Sequence, residues 1–144
     1  VKRILGRNLR PPVDAIIPLS ESAQPELTTR ERVTIQTSGQ MCQTCHRVIN
    51  PLGFALENFD AIGRFRMEEK GKGVDASGMY SSLTGEQIEF RGVRELANYL
   101  HDSPEVHRSM ARQFFQHMVK QPATAYGLNQ VDELEKAFRE GGFT

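Results

Sequence analysis

The chain has 144 residues, enough for one domain of ordinary size, and its 18 basic and 18 acidic side chains give a formal net charge of zero. This balance argues against nucleic acid or an anionic membrane surface as the main partner. Apolar residues make up 38% of the chain, and no apolar run approaches the roughly 20 residues that span a bilayer. We therefore expect neither membrane insertion nor binding driven by bulk charge.

Residues 1–26 are predicted to form an extended, proline-rich arm or linker, and residues 27–144 the domain itself. The prolines of the first segment are Pro11, Pro12, Pro18 and Pro25. They interrupt regular structure and favour an extended backbone. Because proline-rich linkers are common, we favour a linker docked over the domain, with a binding arm for a partner as the alternative.

A helix is predicted to begin at Thr28 and to stop near Gly39. Thr28 and Glu31 have the spacing of a capping box, in which each side chain satisfies the backbone N–H of the other residue. The helix leads the chain directly into the segment Cys42–His46, which reads CQTCH. A helix in this place is typical of the start of a class I cytochrome c.

The CQTCH segment has the spacing at which a c-type haem is attached. Two intervening residues let the sulfurs of Cys42 and Cys45 form thioether bonds along one porphyrin edge, while His46 turns under the ring as the proximal iron ligand. The chain contains no third cysteine. The sequence therefore predicts one covalent haem c.

Three other readings of this segment are less favoured. Structural zinc needs four ligands, and no second Cys or His cluster exists in the sequence. A thioredoxin-like motif would follow a strand in a βαβ unit, which the pattern does not indicate. A plain disulfide between Cys42 and Cys45 leaves the adjacent His46 unexplained.

The segment after the motif predicts a short helix and a partner for the proximal histidine. Four apolar residues recur at helical spacing, namely Leu52, Ala55, Leu56 and Phe59. A proximal histidine usually donates its second ring N–H to a carbonyl, which fixes the ring. The carbonyl of Asn50 or Pro51 lies at a suitable sequence distance from His46.

Residues 64–73 predict a solvated loop, and residues 74–90 predict a small β-hairpin with its turn near Thr84 and Gly85. A helix follows, whose apolar face is Val93, Leu96, Ala97 and Leu100. The next helix should start with Ser103 as N-cap and end before Pro122. A last helix is expected from Asn129 to Gly141.

These elements predict a mostly α fold, a cytochrome c-like helical domain around one haem. A small β-hairpin insertion and the extended N-terminal arm complete it. The sequence has no heptad pattern, so we expect a monomeric module. The residues expected against the haem, besides the CQTCH segment, are Pro51, Leu52, Phe54, Phe59, Arg64 and Phe114.

The helix from Ser103 carries most candidates for the distal iron ligand. His107, Met110, Phe114 and His117 follow one another at intervals of three and four residues and so lie on one stripe. A haem face would explain two imidazoles and a thioether on such a stripe. A core helix with histidines at its edges is an equally good interpretation. We rank His117 first, Met110 and His107 next, and then Met79 in the hairpin.

Several longer segments resemble the monohaem cytochrome c-like tail domains of large exported bacterial proteins, many of them planctomycete. They are 42–46 (CQTCH), 49–64 (INPLGFALENFDAIGR), 74–78 (VDASG), 90–96 (FRGVREL) and 117–127 (HMVKQPATAYG). That family often has His-Leu-Val-Lys-Gln-Pro where this chain has HMVKQP, which favours His117 as the haem-facing residue, although other branches carry Tyr there. Similar domains are joined to carbohydrate-binding modules in polysaccharide degraders.

The resemblance implies electron transfer outside the cytoplasm, in the periplasm or the extracellular space, with a redox partner such as a polysaccharide-cleaving copper oxygenase. The chain starts at Val1 without a signal-peptide pattern, which we interpret as a mature or excised part of a larger exported protein. We expect no enzymatic activity of its own. The alternatives are a haem enzyme such as a peroxidase, or a haem-based sensor, each with an open distal site.

Three arginines flank the motif and are candidates for pairing with the haem propionates, because a guanidinium binds a carboxylate through two parallel hydrogen bonds. They are Arg47, Arg64 and Arg66. The alternative is that they are simply solvated, and for Arg47 we favour it.

Overall fold

The computed structural model describes residues 1–10 and 24–142, and this part of the chain forms five α-helices, one 3₁₀ helix and two small antiparallel sheets. The predicted mostly α fold with a small hairpin is confirmed. Residues 11–23, the centre of the predicted arm, lie outside the described residues. The division into an arm and a domain stays a prediction.

Internal contacts group the chain into two units. The motif unit is Arg10–Asn98, and the terminal unit joins Val1–Leu9 to the chain from Tyr99 onward. In the part of the chain that the structure describes, no helix is long and apolar enough to cross a membrane.

The first helix of the motif unit, α1, spans Thr29–Gln36 and begins as predicted. The Thr28 hydroxyl accepts a hydrogen bond from the Glu31 backbone N–H at 3.2 Å, and the Glu31 carboxylate accepts one from the Thr28 N–H at 2.8 Å. Both halves of the capping box are therefore present. The helix ends at Thr37, whose buried hydroxyl donates to the Val33 carbonyl at 2.7 Å.

The second helix, α2, spans Gln40–Phe54 and contains the whole CQTCH segment. The prediction of a separate short helix from Leu52 is wrong. Helical structure begins twelve residues earlier and passes through Pro51, whose missing N–H costs only the bond to the Arg47 carbonyl. After Phe54 the chain forms turns with i→i+3 hydrogen bonds. The apolar residues Leu56 and Phe59, whose spacing predicted a helix, lie in these turns and not in a helix.

Residues 64–73, predicted to be a loop, contain a two-stranded hairpin. Strands β1 (Glu68–Glu69) and β2 (Lys72–Gly73) pair around Lys70 and Gly71, which have φ values of 53° and 73°. Positive φ at both central residues is the geometry of a tight hairpin turn. The sequence did not indicate this turn because lysine rarely adopts positive φ.

The predicted second hairpin is confirmed, with β3 at Ser77–Ser81 and β4 at Gln87–Arg91. Its strand β3 packs against α2, and the hairpin contributes Tyr80, which is completely buried, and Phe90, which is 2% exposed. Gly78 permits this close approach. A Cβ atom there would lie 2.5 Å from the Phe90 ring and 2.7 Å from the Pro51 carbonyl oxygen.

Helix α3, Val93–Asp102, follows the sheet with the predicted apolar residue Leu96 buried. Helix α4 spans Pro104–Val119, with Ser103 at the N-cap position, and ends at Lys120 in the left-handed conformation. The start predicted for α4 is confirmed. The Ser103 hydroxyl makes no capping bond to the helix, although the residue holds that position.

The terminal unit is built around α4 and the last helix, α5, which spans Gln130–Glu140 and packs along it. A 3₁₀ helix at Ala123–Tyr126 joins the two. The first residues of the chain contact α4. Leu5 is 3% exposed, and the Gln113 side chain donates to the Arg3 carbonyl at 2.6 Å.

Candidate functional site

The two cysteines and the histidine of the motif lie on one face of α2. Cys42, Cys45 and His46 are separated by three and one residues in a helix of 3.6 residues per turn, so their side chains lie within one turn of each other. Both cysteines are free thiols, and all three side chains are partly exposed. The face offers two accessible sulfurs beside one imidazole.

One ring nitrogen of His46 is already engaged. His46 Nδ1 lies 2.8 Å from the side-chain oxygen of Asn50, one helical turn further along α2. The Asn50 amide nitrogen donates to the Thr37 hydroxyl, also at 2.8 Å. The acceptor is therefore the Asn50 side-chain oxygen and not the predicted backbone carbonyl of Asn50 or Pro51, and Nε2 is the nitrogen left for a ligand role.

The face of α2 that carries the motif is apolar and incompletely covered. Met41 is 69% exposed and Ile49 is 37% exposed, while Leu52 further along is half-buried. Two other residues of α2, Val48 and Phe54, are buried. An apolar planar group bound at the two sulfurs would contact this open strip, and burial of apolar surface stabilises by about 25 cal/mol per Å².

The aromatic residues expected near the haem are in two different environments. Phe54 is in the core and lies under the guanidinium of Arg30, 4.4 Å from the ring centroid. Phe59 is 39% exposed, stacks edge-on against Phe65 at 5.8 Å and lines a cleft of about 750 Å³. The Pro51 carbonyl accepts a bond from the Ala55 N–H at 3.3 Å.

The arginines near the motif differ in how firmly they are held. Arg64 is 77% exposed and pairs with Asp60 at 2.8 Å, and this bond lowers the pKa of the Asp60 carboxyl. Arg66 is only 24% exposed and contacts the carboxylates of Glu57 and Glu69 at 3.0 and 3.1 Å. An incoming propionate would have to compete with Asp60 at Arg64 and with two carboxylates at Arg66.

The pKa values of the two carboxyl groups around Arg66, Glu57 and Glu69, are shifted in opposite directions. Burial and the neighbouring charge of Glu69 raise the pKa of Glu57 above its ordinary 4.5. Burial alone would also raise the pKa of Glu69, but hydrogen bonds from the Thr29 backbone and hydroxyl at 2.9 and 2.7 Å, together with the charge of Arg66, lower it.

The candidate distal residues occupy α4 in the terminal unit, except for Met79, which lies in β3 and is 53% exposed. On α4, Met110 is 49% exposed, Phe114 is 69% exposed and His117 is exposed as well. His107 lies with Nε2 2.6 Å from the His101 carbonyl, so this nitrogen donates a hydrogen bond. Iron ligation by any of the four stays a prediction.

His117 also lines a cleft of about 520 Å³ inside the terminal unit, together with Lys2, Arg3 and Arg112. This basic cleft was not foreseen from the sequence, because the cationic residues come from opposite ends of the chain. Thr37 was missed for a similar reason. The spacing of four residues indicated Asn50 as a neighbour of His46, but Thr37, which Asn50 contacts, lies thirteen residues before Asn50, at the end of α1.

The described residues contain no group of three or more His, Cys, Asp or Glu side chains arranged to hold a metal ion.

Residues 1–69, just under half of the chain, match the family PSCyt3, described as a protein of unknown function (DUF1588). This is a planctomycete-type cytochrome c-like domain family, and the matched residues include the CQTCH segment. No curated protein and no solved structure matches the chain.

Proposed function

We propose that this chain carries one covalent c-type haem and serves as a one-electron carrier module of a larger exported protein. The observation that carries the proposal is the face of α2, where Cys42, Cys45 and His46 lie together and the His46 ring is held through Nδ1. When bound, the haem would supply reversible one-electron chemistry between ferric and ferrous iron.

Each residue of this face has a distinct task in the proposal. The thiols of Cys42 and Cys45 hold the group by thioether bonds, and His46 Nε2 binds on the proximal side. The exposed apolar strip around Met41 and Ile49 covers the edge of the ring and keeps water from it. Leu52 extends the strip, and Phe59, Arg64 and Phe114 are further contacts expected from the sequence.

The distal position decides the class of function. We propose His117 as the distal ligand, with Met110, His107 and Met79 as alternatives in that order. A filled distal position favours electron transfer, whereas an open one favours a peroxidase-like enzyme or a sensor. The location would be periplasmic or extracellular, and a secreted oxidoreductase such as a polysaccharide-cleaving copper oxygenase is the partner we propose.

The first test is the visible and near-infrared spectrum of protein matured in an export compartment, in both oxidation states. A low-spin spectrum without the sulfur-to-iron band of methionine ligation is expected for His46 and His117. That band would move the distal ligand to a methionine and keep the function. A high-spin spectrum with rapid binding of carbon monoxide would contradict the carrier and favour the enzyme or sensor.

A matched control separates covalent attachment from loose association. The double variant Cys42→Ser with Cys45→Ser keeps the helix and the apolar strip but removes both sulfurs. It should lose all haem on a denaturing gel stained for haem peroxidase activity, while the parent chain retains it. Haem retained by the double variant would contradict the proposed thioether bonds.

A further inference from the structure

The hydrogen bonds behind His46 form a continuous relay between α1 and α2. It runs from His46 Nδ1 to the Asn50 side chain at 2.8 Å, from Asn50 to the Thr37 hydroxyl at 2.8 Å, and from Thr37 to the Val33 carbonyl at 2.7 Å. We infer that Asn50 and Thr37 are positioning residues that fix the tautomer of His46 and tune its strength as an iron ligand. This inference rests on the proposed function.

The direction of every bond in the relay follows from its far end. The Val33 carbonyl can only accept, so the single hydroxyl proton of Thr37 points toward it. Thr37 then offers only lone pairs to Asn50, and the Asn50 side chain must present its NH₂ group there. Its oxygen consequently faces His46, so Nδ1 carries a proton, and in the neutral ring Nε2 is then the unprotonated nitrogen.

The relay is anchored where side chains have little freedom. Thr37 is 8% exposed and is the residue at which α1 ends. Its carbonyl also accepts a hydrogen bond from the side chain of Gln43, one of the two residues between the cysteines. Thr37 is thus held by two residues of α2, and the CQTCH segment is tied to the end of α1.

An imidazole whose second N–H is hydrogen-bonded is a better electron donor to a metal. A stronger acceptor at position 50 should therefore favour ferric iron and lower the reduction potential, and removal of the acceptor should raise it. This dependence of the potential on acceptor strength is an electronic effect. Substitution of a residue that only stabilises the fold would change the free energy of unfolding, but the reduction potential would not follow acceptor strength.

The test uses variants of similar size. Asn50→Asp strengthens the acceptor, Asn50→Leu removes it, and Thr37→Val cuts the relay one bond further away. The controls are Asn98→Leu and Thr34→Val, which make the same changes at exposed positions on helices of the same unit. Should Asn50→Leu fail to fold, Asn50→Asp and Thr37→Val still give the ordered comparison.

The first readout needs no haem. Long-range ¹H–¹⁵N correlation spectra of the apoprotein report which ring nitrogen of His46 carries the proton. We expect Nδ1–H in the parent chain and both controls, and a shift toward the Nε2–H form in Asn50→Leu. Nε2–H in the parent chain, or no change in Asn50→Leu, would overturn the relay whether or not haem is ever bound.

The second readout is the potential of the haem-loaded protein. We expect Asn50→Leu to lower the oxidised-to-reduced ratio at fixed potential by about tenfold, the lower end of effects from removing such a partner. For a one-electron couple that ratio corresponds to about +59 mV. Asn50→Asp should lower the reduction potential. Potentials that do not follow the strength of the acceptor at position 50 would overturn the electronic role. Failure of the parent chain to attach haem would instead contradict the proposed function.

Discussion

The two units of this protein differ in the size of the side chains that they bury. In the motif unit Tyr80 and Phe90 are the largest fully buried side chains of the described residues, and partly buried arginines join separate segments. In the terminal unit the buried core consists of smaller residues. These are Leu5, Ala111, Ala123 and Val131.

Both units leave large apolar side chains at the surface. In the terminal unit these include Met110, Phe114, Met118, Tyr126 and Leu128, each between 49% and 88% exposed. In the motif unit they include Met41, Ile62, Phe65 and Met67, each between 65% and 75% exposed. The two units therefore differ in what they bury and not in what they expose.

The largest contrast is expected between two phenylalanines. Phe90→Ala in the motif unit should reduce the free energy of unfolding of the apoprotein by about 3–5 kcal/mol, because a fully packed ring leaves a cavity. Phe114→Ala in the terminal unit should change it by about 0.5 kcal/mol or less, because the ring is 69% exposed. Urea unfolding measures both. Equal losses would contradict the difference between the units.

Gly78 gives the next largest effect. Gly78→Ala places a methyl group within 2.7 Å of the Pro51 carbonyl and 2.5 Å of the Phe90 ring, so the hairpin must move away from α2. We expect a loss of about 1–3 kcal/mol from this overpacking. Gly73→Ala is the control, because a Cβ atom added there would have no neighbour within 4 Å. A stable Gly78→Ala protein would show that the sheet does not press on α2.

The two arginines near the motif provide a third comparison. Arg66→Met should cost about 2 kcal/mol, since it removes hydrogen bonds to the charged group of Glu57 and leaves two partly buried carboxylates facing each other. Arg64→Met should cost less than Arg66→Met, because the Arg64 side chain is 77% exposed and its pair with Asp60 is screened by solvent. Chemical denaturation of both variants measures the difference, and similar costs would refute it.

The smallest effect is a change in pH dependence. The lowered pKa of Glu69 means that its contribution to stability is complete above about pH 4.5 and is lost as the pH falls through the folded-state pKa. The raised pKa of Glu57 has the opposite effect. As the pH falls toward 4.5, the Glu57 carboxylate is protonated in the folded state before it is protonated in the unfolded state, so the folded state gains stability.

Glu69→Gln should therefore flatten the loss of stability below about pH 4.5, and Glu57→Gln should remove the gain in stability that occurs above pH 4.5 as the pH falls toward that value. Urea unfolding at several pH values between neutrality and the acid range measures the slopes. Parallel curves for the two variants would contradict the opposite shifts.

Local signals allowed much of this fold to be predicted. The capping box at Thr28, the hairpin turn near Gly85 and the proline at the start of α4 are each set by a few neighbouring residues. The errors arose where local preference was overridden. Pro51 is tolerated inside α2, and Lys70 adopts a conformation that lysine seldom takes.

The candidate site divides in the same way. The roles proposed for Cys42, Cys45 and His46 follow from their spacing, whereas the partners of His46 and Arg66 do not. Thr37 reaches the Asn50 side chain that contacts His46, and Glu69 reaches Arg66, only because separate elements are packed together. No periodicity in the sequence encodes which carboxylate an arginine will meet or which hydroxyl orients an amide.

The contact of residues 1–9 with α4 has a consequence for the order of assembly. The motif unit is a continuous stretch, Arg10–Asn98, whereas the terminal unit is made from the two segments that flank it. During synthesis the motif unit can therefore fold as soon as it emerges, while Leu5 must wait for α4 before it is buried. The motif unit, which contains the CQTCH segment, is thus complete first, and the terminal unit, which contains α4, is complete last.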